Sequence, residues 1–123
     1  MRKLLLLLLL PFTAQADYAD WDQWDRDMFW TTTAMMAVDH LTTRDLASRY
    51  DEGYTEDWNR WLLGKRPDKD RVDLFFLVNY ITHYYITDYI THEEHRAWYL
   101  TARFVISGGA AVNNLSLGLG FRF

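Results

Sequence analysis

Val72-Asp73-Leu74-Phe75-Phe76-Leu77-Val78-Asn79-Tyr80-Ile81-Thr82-His83-Tyr84-Tyr85-Ile86-Thr87-Asp88-Tyr89-Ile90 is the stretch whose reading decides the fold. Thirteen of these nineteen residues are apolar or Tyr, and Asp68 and Asp70 place negative charge just ahead, where a helix dipole favours it. The segment therefore reads as a long helix. Thr91 and Glu94 follow with the T-x-x-E spacing of a capping box, which predicts a reversal at Ile90 and Thr91 and another helix from about Glu93 to about Val112. Gly108-Gly109 weakens that helix's last turns or lets another backbone approach closely.

Reading toward the N-terminus, Gly64 and Pro67 punctuate a connector: Thr55 caps a short helix over Glu56 to Leu63, Gly64 ends it and Pro67 stops it. Before Gly53, Trp21, Trp24, Met28, Met35, Val38 and Leu46 recur near helical spacing, with Asp20 and Gln23 as the start signal and Ser48 near the end. Toward the C-terminus the period changes. Leu115, Leu117, Leu119, Phe121 and Phe123 alternate with other residues, a strand pattern similar to the last strand of outer-membrane β-barrels. A barrel needs at least about eight such strands and only this window alternates, so the expected fold is all-α: three long helices, one short connector helix and a short extended C-terminal tail.

Length and composition agree with one folded domain. The chain has 123 residues, 50% hydrophobic and 17% aromatic, far from the composition of a disordered chain. With no Cys it has no disulfide, thiolate metal site or thiol nucleophile. A formal charge of −4 lacks the basic face that nucleic acid requires. No phosphate loop, dinucleotide fingerprint or G-x-S-x-G occurs, so no cofactor is expected.

Residues 1–16 read as an address. Arg2 and Lys3, the apolar run from Leu4, and Ala14-Gln15-Ala16 have the three parts of a secretory signal peptide, and the run covers only roughly 14 Å as a helix, too short for a span. Residues 17–123 are then a single exported helical domain with a formal charge of −6. Asp39, His40, Asp73, Asn79, His83, Asp88 and Arg103 interrupt the apolar lengths, and an ionised residue mid-helix costs about 2.5–3.5 kcal/mol for insertion, so the helices enter a membrane only as a group. Seven basic residues between Arg44 and Arg71 suit the cytoplasmic side of such a bundle. The expected location is the inner membrane, with the periplasm second and the outer membrane disfavoured; the expected partner is membrane lipid or an envelope protein. The Trp21/Trp24 and Trp58/Trp61 pairs suit a membrane surface, a partner groove or a core edge.

Three mid-helix or helix-end polar residues, Asp39, His83 and Asn114, would form a buried acid, imidazole and amide cluster if the helices converge. Such a cluster binds a cation or shuttles a proton, or its members satisfy one another and fix helix register. Asp88, His92 and His95 have the spacing of metal ligands on one helical face, but the capping box divides that face, and no metal is expected.

From Asp39 onward the chain resembles a family of small proteins from bacteria and their phages. The resemblance rests on Asp39 with Thr43-Arg44, on Leu63-Gly64-Lys65-Arg66-Pro67, on Arg71-Val72-Asp73 with Phe75-Phe76, on His83, and on Asn114 before the alternating C-terminus. Where that family tends to have Asn-Pro before the Leu-Gly turn, Asn59 is followed by Arg60. The resemblance implies no activity; it marks Arg44, Gly64, Pro67 and Asp73, beside the polar three, as positions to test. The expected function is a structural or interaction role in the envelope, with phage-encoded modification of a host surface as one form. The alternatives are a small membrane hydrolase or cation site at Asp39, His83 and Asn114, and a soluble periplasmic binding module.

Overall fold

Asp22 starts the first long helix. Its carboxylate accepts the Asp25 N–H at 2.7 Å, and α1 runs Gln23–Ala47 until the Ser48 N–H turns back onto the Asp45 carbonyl. Asp20, the expected cap, instead ends a 3-10 turn over Tyr18–Asp20 that the Trp21 N–H closes on Tyr18. The computed structural model describes residues 18–56, 59–90 and 93–123. The expected leader over 1–16 lies outside them, as do Trp58 and the Thr91-His92 part of the capping box.

The connector is shorter than its sequence suggests. After a 3-10 turn over Tyr50–Glu52, α2 is one turn, Arg60–Leu63. Glu56 does not begin this helix: its side chain accepts the Asn59 N–H at 2.7 Å and its own N–H bonds to the Lys65 carbonyl at 2.9 Å. The acid therefore cross-ties the loop. Gly64 ends α2 at φ +85°, a left-handed conformation that a side chain resists, and Pro67 is buried beyond it. Asp68 then caps α3, Lys69–Tyr89, by accepting the Arg71 N–H at 2.8 Å.

α4 runs Glu93–Ser116, through Gly108-Gly109 and past the expected end at Val112. The described residues contain no strand. The period-2 window fails because its first two residues stay helical, and because Leu119 is buried while Phe121 and Phe123 are exposed, so no single face is covered. After Gly118 the extended tail folds back onto the end of α1. The Gly120 N–H reaches the Asp45 carboxylate at 2.8 Å and the Arg122 N–H reaches the Leu41 carbonyl at 3.2 Å.

The all-α architecture is thus three long helices, a short connector helix and an extended tail. α1 lies at its centre. Trp21 meets Asp88 and His40 meets Asp73, so α3 runs antiparallel to α1; Asp25 meets Arg96 and Asp39 meets Asn114, so α4 runs parallel to it. Asp25, Phe29, Thr32, Met36, Asp39, Thr43 and Leu46, spaced alternately four and three apart, are the buried seam of α1. Four of these seven are polar.

The two outer helices bury polar side chains beside apolar ones and expose apolar faces. On α3, His83, Thr87 and Asp88 are buried, while Leu74, Leu77 and Val78 stand 59%, 53% and 50% exposed. On α4, Arg96, Ser107 and Asn114 are buried, while Trp98, Val105 and Val112 stand 67%, 64% and 66% exposed. Leu100, Val72 and Phe76 supply apolar contacts between the polar layers. Among the described residues no helix is long and apolar enough to cross a membrane, which corrects the expectation of transmembrane helices. The helices have the length, about 31–37 Å at 1.5 Å per residue, but their inward polar residues lower the apolarity of every one.

Candidate functional site

Burying a polar seam obliges each layer to find partners, because an unpaired buried polar group costs about 1–3 kcal/mol. At the end nearest the α3–α4 connection, Asp25 and Arg96 form an ion pair at 2.9 Å, both almost wholly buried. Arg96 also donates to the Thr87 and Ile90 carbonyls, and the Trp21 indole N–H donates to Asp88 at 2.9 Å. All three guanidinium nitrogens of Arg96 are thus engaged.

One layer further along, His83 stacks on Phe29 with ring centroids 4.6 Å apart, and its Nδ1 lies 3.3 Å from the Tyr99 hydroxyl. The Phe29 carbonyl approaches the ring without an aligned hydrogen bond to Nε2. Burial, reinforced by the nearby Arg103 charge, holds this imidazole down to about 4, so it is neutral at pH 7. The Thr32 hydroxyl in the same seam is buried without a hydrogen-bond partner.

The third layer is the candidate site. Asn114 donates to Asp39 Oδ1 at 3.0 Å and to the Thr42 hydroxyl at 2.9 Å, and the Thr43 hydroxyl donates to Asp39 Oδ1 at 3.2 Å. Asp39 also lines a cavity of about 40 Å³ between α3 and α4. Asn79, Arg103 and Ser107 contribute its polar walls, Phe75 and Ile106 its apolar ones, and Asn59 of the connector its end. Burial, with the charge of Glu56 added, pushes the Asp39 carboxyl up to about 7 against the lowering influence of Thr43, Asn114 and Arg103. Asp39 thus stands near a second acid, Glu56, and one guanidinium, that of Arg103.

The structure brings Asp39 and Asn114 together and sets His83 apart from them. His83 packs on Phe29, ten residues before Asp39 on α1 and so about 15 Å along the helix. A three-residue acid, imidazole and amide cluster does not form, because the antiparallel run of α3 puts His83 opposite the first half of α1. The position that α3 offers to Asp39's layer is Asn79, with Phe75 and Phe76.

The family-like positions form a second group at the surface. Asp73 receives Arg44 on one oxygen and His40 Nε2 on the other at 2.8 Å, while His40 stacks on Phe76 and its Nδ1 lies 3.2 Å from the Tyr80 hydroxyl. Arg44, then His40, hold the Asp73 carboxyl below its usual range. Gly64 and Pro67 act on the backbone, the second through a carbonyl that accepts the Tyr50 hydroxyl. This group ties α1, α3 and the connector together. Sequence reasoning missed Asp25, Arg96, Glu56 and Ser107. A signal for the first existed, since Asp25 lies on the same four-and-three spacing as Asp39.

α3 ends at Tyr89 and α4 begins at Glu93, so no continuous helix carries Asp88, His92 and His95, and His92 lies outside the described residues. No family model, curated protein or solved structure matches the chain.

Proposed function

We propose that the protein is an exported component of the bacterial envelope with a structural or interaction role, and that it rests against membrane lipid through the outer faces of α3 and α4. The observation that carries this reading is the apolar outer face of each of those two helices. Leu74, Leu77 and Val78 on one, and Trp98, Val105 and Val112 on the other, face outward over buried His, Asp, Arg and Asn side chains. An isolated exposed apolar residue is ordinary; stripes of them on adjoining helices mark a surface that meets lipid or protein. Each such side chain removed from water contributes about 1.5–3 kcal/mol, so a few on each helix suffice for firm attachment. Trp24, Trp61 and Trp98, all exposed, suit the boundary between headgroups and acyl chains. The leader-like residues 1–16 supply the export half of the proposal.

Expression in a bacterial host with fractionation and N-terminal sequencing tests both halves. The mature chain begins at Asp17, sediments with membranes, stays there in alkaline carbonate and is released by detergent. A chain that begins at Met1 in the cytosolic fraction, or a mature chain recovered in buffer without detergent, overturns it. Leu77→Glu with Val105→Glu, changes confined to exposed positions, releases the protein from membranes while leaving its helical circular dichroism intact.

A further inference from the structure

The cavity at Asp39 has the makings of a site for a charged ligand. Asp39, 6% exposed, lines it, and its Oδ1 is taken by Asn114 and Thr43. Ser107, 5% exposed, lines it too, and its hydroxyl makes no hydrogen bond among the described residues. Arg103, half-buried, is weakly engaged. Its contacts are the Asn79 carbonyl oxygen at 3.4 Å and the Met36 sulfur at 3.6 Å, and its buried Nε has no partner. A guanidinium has five N–H donors in a planar fork, suited to two oxygens of a phosphate. A carboxylate, a hydroxyl and amide oxygens beside it accept hydrogen bonds, so the complementary group at that end is a compact N–H donor with positive charge. The walls at Phe75 and half-exposed Ile106 are apolar and adjoin the outward faces of α3 and α4.

We propose that this cavity takes the ammonium end of a phospholipid headgroup in which a primary ammonium stands two carbons from the phosphate, the ethanolamine class. Arg103 takes the phosphate and Asp39, helped by Ser107, takes the ammonium. The inference rests on the lipid-facing reading above and names the lipid that reading leaves open. A volume of about 40 Å³ accommodates an ammonium, since it offers room for one to three water-sized groups. A trimethylammonium is bulkier and has no N–H to give, so choline lipids are excluded by both size and chemistry.

Flotation of the purified mature chain with vesicles tests this. Phosphatidylcholine vesicles are compared with vesicles that also contain phosphatidylethanolamine or phosphatidylglycerol. Phosphatidylethanolamine raises affinity about tenfold, equivalent to about 1.4 kcal/mol, and phosphatidylglycerol does not. Asp39→Asn and Ser107→Ala each remove most of that preference, and Arg103→Gln lowers it. Ser107→Ala deletes an unbonded hydroxyl and keeps the Asp39 network, so it decides the matter even if Asp39→Asn fails to fold. Equal binding to the choline and ethanolamine vesicles overturns the headgroup assignment and leaves the lipid-facing reading standing. An equal gain from phosphatidylglycerol overturns the role of the ammonium. Tight binding of free phosphoethanolamine, with no difference between vesicles, overturns a lipid as its source. No binding to any vesicle overturns the lipid-facing reading itself.

Discussion

Two layers of the bundle are built from the same pair of residue types and end in opposite states. Asp25 and Arg96, then Asp39 and Arg103, each set an acid of the α1 seam near an arginine of the parallel α4. In the first layer the arginine spends its donors on Asp25 and on two carbonyls where α3 ends. In the second, α3 contributes Asn79 in place of a helix end, the contacts of Arg103 are long, a second acid stands near, and a cavity remains. Arg96 is therefore fully engaged because its acid and two free backbone carbonyls are at hand, whereas Arg103 makes no ion pair with Asp39 and keeps donors to spare. The open layer is the one with capacity left for a ligand.

The sharpest way to break that contrast is to remove the closed pair. Arg96→Met leaves Asp25 buried without its cation, and the loss of an uncompensated partner costs about 3–5 kcal/mol. Chemical denaturation in mild detergent, followed by circular dichroism, reads it. The double change Arg96→Met with Asp25→Leu recovers most of the loss, because two apolar groups then replace two charges. A small loss for Arg96→Met alone places the bundle's stability elsewhere.

How far a sequence reveals these layers depends on what the chain makes local. Helix lengths are local: the periodicity up to Ser48 and the run from Val72 to Ile90 placed α1 and α3 to within a few residues. Asp39 and Asn114 stood out because each interrupts or closes an apolar length. Register is not local. Whether His83 meets Asp39 depends on the antiparallel offset of α3, set by where the connector ends, and the connector departs from its sequence pattern because Glu56 cross-ties the loop instead of starting a helix. Arg103 was visible as an interruption, but its relation to Asn79 and Ser107 needed both helix rotations.

The second test concerns pH. The fold raises Asp39 to about 7, well above the usual carboxylate value near 4, so between those pH values the folded chain holds a proton that the unfolded chain has released. Stability from this group is full below about pH 4 and declines as pH rises toward 7, by about 2–4 kcal/mol in all. Asp39→Asn flattens that decline. Asp73 works in the opposite sense: Arg44 and His40 hold it low, and its contribution disappears as acid protonates it. Asp45 does likewise, since Gly120, Arg49 and Arg122 outweigh its burial. Denaturation curves at a series of pH values separate the two groups, and a decline that survives Asp39→Asn assigns the effect to another residue.

The smallest effect tests the open layer most directly. Arg103→Met removes a cation whose bonds are long and whose Nε is already unpaired, so its stability cost is about 1 kcal/mol or less, well under that of Arg96→Met. Its electrostatic consequence is still measurable, because Arg103 is one of the influences that lower Asp39. Without it, the pH midpoint of the Asp39-dependent decline moves upward from about 7. An unchanged midpoint together with a loss as large as that of Arg96→Met means that Arg103 is as fully bonded as its counterpart, and the distinction between a closed and an open layer disappears.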